Sequence, residues 1–282
     1  MIWRIRRTEL DLSRQGLIMG IVNVTPDSFS DGGKYFNPSA AVQHCLQLVE
    51  EGADIVDIGG ESVRPGSLPV STEEELRRVL PVIRELRQKQ KEILISIDTS
   101  KAEVARQCLK DGADIINDVT ALRGDPEMAQ VVAEANAGLI LMHMQGRPAT
   151  MQNHPEYTDI VSEVQNFLRR QADVAISCGI NPMSIVFDPG IGFGKTAEHN
   201  IALLAALPRL VSSSDGRPFL IGVSRKAFLS RFSSDPSMAG RFWPGVALTS
   251  FCRECGVRLF RVHEPRPHKE ALRMTEAILY TS

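Results

Sequence analysis

Short, almost fully apolar runs alternate along the chain with longer stretches in which apolar residues recur at helical spacing. The apolar runs predict strands at LIMGIVNV (17–24), ADIVDIG (53–59), ILISIDT (93–99), ADIINDV (113–119), GLILMHM (138–144), SIVFDP (184–189), PFLIGVS (218–224) and VRLFRVH (257–263). The other stretches predict helices near 38–51, 72–91, 101–111, 125–136, 155–178, 197–207, 225–255 (broken) and 266–280. Because most strands are apolar at nearly every position, we expect a parallel sheet covered on both faces.

The number of strand–helix units sets the fold class. Eight such units in about 260 residues fit an α/β protein of the (β/α)8 TIM barrel type, with residues 1–282 as a single domain. Gly52, Gly112, Gly179 and Gly256 each stand between a predicted helix and the next strand, where a left-handed helix end favours glycine. A doubly wound open sheet is the alternative fold. The first dozen residues alternate in polarity and predict a short hairpin that closes the barrel floor.

Composition narrows the class of protein. A net charge of −2 gives no general attraction to nucleic acid or to an anionic membrane. We find no apolar run of the roughly 18 residues that a membrane span needs, and the basic N-terminus lacks the apolar core of a secretory signal. A cytoplasmic protein is expected. The five cysteines are scattered, and Cys252 and Cys255 form a lone pair without further ligands, so a zinc or redox site is not expected.

Polar side chains follow nearly every predicted strand, at the end where such barrels carry their active sites. They are Asn23, residues 61–64, Asp98, Asn117, His143, Asp188, residues 224–226, Arg261 and His263. One such residue alone could enter solvent or begin the next helix, and Asp98 precedes a helix start with Ser100 as the expected cap and Glu103 three residues on. Together they predict one site.

The residue types in this set indicate its chemistry. Asp188 and Asn117 offer acceptors to a heterocycle that presents paired N–H donors. Lys226, Arg261 and His263 place positive charge beside the last two strands, where barrels often bind phosphate. Asn23 is a plausible Mg²⁺ contact beside that phosphate, since Mg²⁺ takes few protein ligands. No nucleophilic triad is visible, so we expect a displacement assisted by stabilisation of the leaving group.

The glycine-rich segment DPGIGFGK (188–195) follows a strand and precedes a helix. It matches neither the dinucleotide fingerprint nor the P-loop. We therefore expect its glycines to shape a loop that presents Phe193 to a flat ligand.

A set of motifs carries a resemblance to a known family. GIVNVTPDSFSDGG (20–33), DIGGESVRPG (57–66), SIDTSK (96–101), IINDV (115–119), LMHMQGRP (141–148), DPGIGFGK, GVSRKAFL (222–229) and FRVHE (260–264) occur in the order of the dihydropteroate synthase family. The chain resembles that family from about residue 16 to its C-terminus. The first two motifs together are the most specific.

The resemblance implies a barrel that is usually a homodimer and acts in folate biosynthesis with Mg²⁺. It implies an enzyme that joins 6-hydroxymethyl-7,8-dihydropterin diphosphate to p-aminobenzoate, releasing diphosphate and forming 7,8-dihydropteroate. The implied step is SN1-like: diphosphate leaves, and the aniline nitrogen captures a pterin-methyl cation. These small molecules are the expected partners, with no nucleic acid and no membrane.

By similarity, the candidate residues then divide between the two substrates. The pterin diphosphate set is Arg64, Asp98, Asn117, Asp188, Phe193, Lys226, Arg261 and His263. The p-aminobenzoate set is Phe29, Pro65 and Ser224, with Ser224 at a helix N-terminus that favours the carboxylate and the loop at 25–33 as a lid. The implied catalytic residues are Asn23, Lys226, Arg261 and His263, and Asn23 is also the implied metal contact.

The sequence departs from the family in places that keep other interpretations open. Position 63 is Val where the family usually has Thr, so one hydrogen bond worth roughly 0.5–1.5 kcal/mol would be lost from diphosphate binding. The C-terminal motif continues with Glu264 and Pro265 instead of the usual Asp. A catalytically silent pterin-binding paralogue and a methyl-pterin-binding barrel of the corrinoid methyltransferase type remain the alternatives.

Overall fold

The computed structural model describes residues 1–6, 8–25, 37–62, 67–146 and 150–281. Its strands are β1 (Ile2–Ile5), β2 (Thr8–Asp11), β3 (Leu17–Asn23), β4 (Ile55–Gly59), β5 (Leu94–Asp98), β6 (Ile115–Asp118), β7 (Gly138–Met142), β8 (Ile185–Asp188), β9 (Leu220–Ile221) and β10 (Leu259–Val262). Its α-helices are α1 (Pro38–Glu50), α2 (Thr72–Lys89), α3 (Ala102–Lys110), α4 (Met128–Ala135), α5 (Ile160–Ser177), α6 (Ala197–Ala205), α7 (Leu207–Ser212), α8 (Phe242–Glu254) and α9 (Pro265–Leu279). Short 3-10 helices span Pro182–Ser184, Ala227–Phe232 and Ala239–Arg241.

The predicted strands form one parallel sheet that closes on itself. The eight strands lie in the order β8-β7-β6-β5-β4-β3-β10-β9. A parallel bridge between Phe187 and Phe219 joins the two ends of this order, and the Phe187 amide donates to the Pro218 carbonyl at 2.9 Å. The (β/α)8 barrel is therefore confirmed, and the open sheet is wrong.

The predicted hairpin at the barrel floor is also confirmed. β1 pairs antiparallel with β2, and the side chains of Trp3, Ile5 and Leu12 are buried against the lower ends of the barrel strands. The Trp3 indole donates to the Ser184 carbonyl at 3.0 Å, so the buried N–H is satisfied. The hairpin thus covers the apolar lower layer of the barrel.

Local signals set the helix ends. Asn37, Ser71 and Asp159 cap α1, α2 and α5 with side-chain oxygens. The predicted Ser100 cap is wrong: α3 begins after Lys101, and the Ala102 amide donates to Asp125 Oδ2 at 2.9 Å. The cap comes from a residue more than twenty positions away, which a local motif search does not consider.

The predicted break in the helical stretch at 225–255 is confirmed. After β9 the chain forms the 3-10 helices Ala227–Phe232 and Ala239–Arg241 before α8 begins at Phe242. In the part of the chain that the structure describes, no helix is both long and apolar enough to cross a lipid bilayer.

Candidate active site

Strand alternation places the polar side chains inside the barrel, directly above its apolar floor. One interior layer consists of Met19, Ile55, Leu94, Ile115, Ile140, Val186, Leu220 and Leu259. Side chains two positions further along a strand point to the same side. The next layer therefore includes Asp57, Ser96, Asn117, Asp188 and Arg261. The layer after it, at the strand ends, includes Asn23 and Asp98, and Ser224 and His263 follow β9 and β10.

Arg261 is the centre of an ion network in these layers. Its Nε donates to Asp57 Oδ2 at 2.6 Å, and its Nη2 donates to Asp98 Oδ2 at 2.8 Å. Asn117 Nδ2 donates to the same Asp57 oxygen at 3.2 Å. Asp57 is fully buried, so this carboxylate fixes both the arginine and the amide. The sequence prediction missed Asp57, although a charged residue within a buried apolar strand, two positions after Ile55, was a usable signal.

Two carboxylate oxygens of this network are unpaired in the part of the chain that the structure describes. Asp57 Oδ1 and Asp98 Oδ1 are buried and have no hydrogen-bond partner among the described residues. Burial raises the pKa of Asp98, and the nearby Arg261 guanidinium opposes that rise. Because an unpaired buried acceptor is costly, both oxygens favour a ligand that brings N–H donors.

Asp188 stands at the end of β8 and begins the glycine-rich loop. Its Oδ1 accepts from the Gly190 amide at 2.7 Å. Burial raises the pKa of Asp188 to about 6, against the opposing effects of this hydrogen bond and of the Lys226 and Lys195 charges. A carboxylate with this pKa is mostly ionised at neutral pH and can still accept from a ligand.

Phe193 and Lys226 lie together at the mouth. The Lys226 ammonium is 3.9 Å from the centroid of the Phe193 ring, a cation–π distance. Burial lowers the pKa of Lys226 to about 8, with Arg261 adding to the effect. The ring and the ammonium form a wall that can accommodate a flat, polar ligand.

The glycines of the loop at 188–195 allow it to approach β7 closely. Gly190 has φ +67°, and a Cβ there would lie 1.9 Å from the His143 carbonyl oxygen. A Cβ on Gly194 would lie 2.5 Å from the Gln145 carbonyl oxygen. Side chains at these positions would push the loop, and Phe193 with it, away from the barrel mouth.

Ser224 and His263 form a pair in the segments that follow β9 and β10. Ser224 Oγ lies 3.0 Å from His263 Nδ1 and accepts from the His263 amide at 3.3 Å. The expected helix N-terminus beside Ser224 is wrong, since Arg225 at φ +60° and a six-residue 3-10 helix follow it. The hydroxyl therefore orients the imidazole.

Asn23 ends β3, half-buried and in register with Gly59 of β4. Among the residues that the structure describes, no group of three or more His, Cys, Asp or Glu side chains could hold a metal. A single amide oxygen still fits Mg²⁺, which binds through one or two protein ligands, substrate phosphates and water. The donor set therefore suits a metal that arrives with a phosphorylated ligand.

Four positions that the sequence singled out cannot be placed. Phe29, Val63, Arg64 and Pro65 lie outside the described residues. Their contacts stay predictions.

Fold and side chains together define a class of protein: a (β/α)8 barrel enzyme whose mouth suits a planar nitrogen heterocycle. The sequence model of the pterin-binding enzymes matches residues 19–263. The chain belongs to this family.

Individual relatives narrow the class further. A dihydropteroate synthase of Synechocystis is 43% identical, over 97% of this chain and 94% of that protein. The structure of the Yersinia pestis dihydropteroate synthase in a sulfonamide drug complex has a TM-score of 0.91 at 39% identity, with both chains fully covered. The Xanthomonas albilineans dihydropteroate synthase with 4-aminobenzoic acid has a TM-score of 0.89 at 43% identity, over 97% and 96% of the two chains. Within its family the chain groups with the dihydropteroate synthases, which are transferases of folate biosynthesis.

Proposed function

We propose that this chain joins 6-hydroxymethyl-7,8-dihydropterin diphosphate to p-aminobenzoate, giving 7,8-dihydropteroate and diphosphate. The observation that carries the proposal is the buried set of Asp57, Asp98, Asn117 and Asp188 beside two cations, Lys226 and Arg261. A pterin has N–H donors on one edge, a carbonyl oxygen and a flat π face. Each of these features has a matching group in that set.

Binding follows from these groups. The pterin N–H donors are directed to Asp188 and to the free oxygens of the Asp57 and Asp98 carboxylates. Lys226 donates to an acceptor on the far side of the ring, while Phe193 bounds the pocket there. The Arg261 plane, held by two aspartates, lies against the ring face, as a delocalised guanidinium can.

The reaction needs charge stabilisation more than covalent assistance. The bond between the pterin methylene carbon and the diphosphate oxygen breaks, and diphosphate leaves with both bonding electrons. The pterin nitrogens delocalise the resulting cation. The aniline nitrogen of p-aminobenzoate then donates its lone pair to the methylene carbon and loses a proton.

Asn23, His263 and Arg261 are the candidates that face the departing diphosphate. Preorganised donors aimed at developing charge are an effective catalytic device. Ser224 holds the His263 ring at 3.0 Å and so keeps one ring nitrogen directed. Mg²⁺, held by Asn23 and diphosphate oxygens, would neutralise charge on the leaving group.

The acceptor is proposed to bind beside Ser224, where a cavity of about 520 Å³ opens. Arg225, which is ion-paired with Glu264 of the same lining, and Arg241 can donate to a carboxylate there, and Phe242 offers an apolar wall. Phe29 and Pro65 are the proposed remaining contacts.

A homodimer in the cytoplasm is part of the proposal. α8 and α9 pack together and expose Trp243, Phe251, Met274 and Ile278. Exposed apolar side chains on neighbouring helices favour association, and a second copy offers the same face. Sedimentation should give a dimer for the native chain and a monomer for Phe251→Glu with Ile278→Glu; a monomeric native chain would reject this part.

The test of the activity is Mg²⁺-dependent diphosphate release from the pterin substrate, with and without p-aminobenzoate. We expect release that requires the aminobenzoate and yields dihydropteroate. Methyl transfer from a methyl-pterin to a corrinoid would instead support the methyltransferase alternative. Pterin binding without turnover would support the silent paralogue.

Lys226→Ala provides a local test of the same proposal. It should raise KM for the pterin substrate and lower kcat, because a donor and a charge are lost together. Lys89→Ala, which removes a surface lysine paired with Glu85, is the control and should leave both values unchanged. Full activity of Lys226→Ala would refute the proposed role.

A further inference from the structure

Lys195 closes the glycine-rich loop, and its ammonium points back into that loop. The residue is only 3% exposed. Its Nζ donates to the Phe193 carbonyl at 2.9 Å and the Gly190 carbonyl at 3.0 Å. It also lies 3.2 Å from the His143 carbonyl oxygen and 3.0 Å from His143 Nδ1.

These contacts are unusual for a buried lysine, because all four acceptors are uncharged. A buried ammonium normally needs a carboxylate partner. Burial lowers the pKa of Lys195 to about 7, while the charge of Asp188 partly supports the protonated form. The backbone of the loop therefore surrounds this head group, and the lysine is directed away from solvent.

The four contacts join two separate parts of the barrel mouth. His143 follows β7, whereas Gly190 and Phe193 belong to the loop after β8. Gly190 lies close to the His143 carbonyl, so the carbonyl groups of these two residues are near each other. The Lys195 ammonium binds both oxygens and offsets the repulsion between the two dipoles. The Gly190 carbonyl also accepts from the Phe193 amide at 3.0 Å. Removal of the ammonium therefore takes a donor from all three carbonyls, and the carbonyls of His143 and Phe193 depend on it most.

The loop carries two groups of the pterin pocket. Asp188 anchors its start through the Gly190 amide at 2.7 Å. Phe193 places its ring 3.9 Å from the Lys226 ammonium. The position of Phe193 thus depends on the contacts that hold its own carbonyl group.

We propose that Lys195 is a positioning residue for the pterin substrate: by binding the carbonyls of Gly190, Phe193 and His143 it fixes Phe193, and through that ring Lys226, at the pterin pocket. This inference rests on the proposed function. Lys195 itself contacts no substrate. Its effect therefore passes through Phe193 and concerns the pterin, not the aminobenzoate.

The first experiment compares Lys195→Met, which keeps the length of the side chain but removes its donors, with Lys89→Met at the surface. We expect KM for the pterin diphosphate to rise about tenfold in Lys195→Met, as for the loss of a charged hydrogen bond, and KM for p-aminobenzoate to stay within twofold. Lys89→Met should match the native chain. Equal changes in both KM values would indicate general loosening and overturn the inference.

A double-mutant cycle supplies the decisive readout. If Lys195 acts through Phe193, then Lys195→Met adds little to the effect of Phe193→Ala, and the double variant should lie within about twofold of the worse single variant. A product of the two separate effects would show that the residues act independently and would overturn the inference. Lys195→Gln, which keeps an N–H donor, should recover part of the lost affinity; no recovery would count against the hydrogen bonds.

Folding and function are separated by two further measurements. Circular dichroism reports whether each variant is folded, and if Lys195→Met is not, the cycle is performed with Lys195→Gln. Calorimetric titration with 6-hydroxymethylpterin, which lacks the aminobenzoate group, measures pterin affinity without turnover. Failure of the proposed function would appear as no diphosphate release by the native chain, whereas failure of this inference would appear as a native-like pterin KM in an otherwise active Lys195→Met variant.

Discussion

Replacement of Asp57 by Asn tests the ion network at its most buried point. The substitution keeps the shape of the side chain and removes its charge. In the native chain one Asp57 oxygen accepts from both Arg261 Nε at 2.6 Å and Asn117 Nδ2 at 3.2 Å. An asparagine carbonyl oxygen in that position can still accept from both donors, but without the negative charge that strengthens the bond to Arg261. Its NH2 group then takes the place of the unpartnered Asp57 Oδ1 and cannot accept from a ligand.

The size of the effect follows from these contacts. A hydrogen bond to a charged group contributes about 1.5–3 kcal/mol. At about 1.4 kcal/mol for each factor of ten, its loss lowers binding by roughly 10- to 100-fold. Arg261 keeps its contact with Asp98 at 2.8 Å, so the arginine stays in the barrel but turns more freely.

The assay is kcat/KM for the pterin diphosphate, measured by diphosphate release at saturating p-aminobenzoate. We expect the 10- to 100-fold fall for Asp57→Asn stated above, with KM for p-aminobenzoate unchanged. Asp54→Asn is the control, because Asp54 directly precedes the same strand at its other end and binds Lys269 and the Ile18 amide. The reasoning is refuted if Asp57→Asn stays within twofold of the native value, or if Asp54→Asn falls equally.

Three other measurements address the pH response, the floor and the loop. The kcat/KM for the pterin should fall below about pH 6 and above about pH 8, because Asp188 must be ionised to accept and Lys226 charged to donate; a flat profile from about pH 5 to about pH 9 would contradict this. Trp3→Ala should lower the free energy of unfolding by about 3–5 kcal/mol in urea, and Trp3→Phe by less; equal, small losses would argue against the hairpin as part of the core. Gly190→Ala should lower both stability and pterin affinity, because its Cβ would overlap a carbonyl oxygen, whereas Gly216→Ala meets no atom within 4 Å; equal effects would show that backbone strain alone matters.

The barrel could be predicted from the sequence because its signals are local. The predicted strand at 17–24 is observed as Leu17–Asn23, and that at 53–59 as Ile55–Gly59. The predicted strand at 218–224 is reduced to Leu220–Ile221. The chain leaves the sheet there for the irregular segment before α8, and the apolar pattern alone does not indicate where pairing stops.

The site could be predicted only as a set of residues and not as a network. Asn117, Asp98 and Arg261 were identified because each stands at or near a strand end, a position that the fold class makes informative. Asp57 was not identified, since its partners Asn117 and Arg261 lie 60 and 204 positions away along the chain. Its importance follows from barrel closure, which brings β10 beside β3 and so places Arg261 over the interior of β4.

The closing strand pair also sets a condition on biosynthesis. β3 is among the first strands to leave the ribosome, yet it pairs on one side with β10, as Leu17 with Leu259. Until that last strand emerges, β3 presents an unpaired edge and the hairpin has an incomplete barrel to cover. Such long-range pairing slows folding and favours aggregation of partial chains. Recombinant fragments that stop short of Val262 should therefore collect in inclusion bodies. For the full chain, low growth temperature or added chaperones should raise the soluble yield, because they protect the chain before β10 has been synthesised.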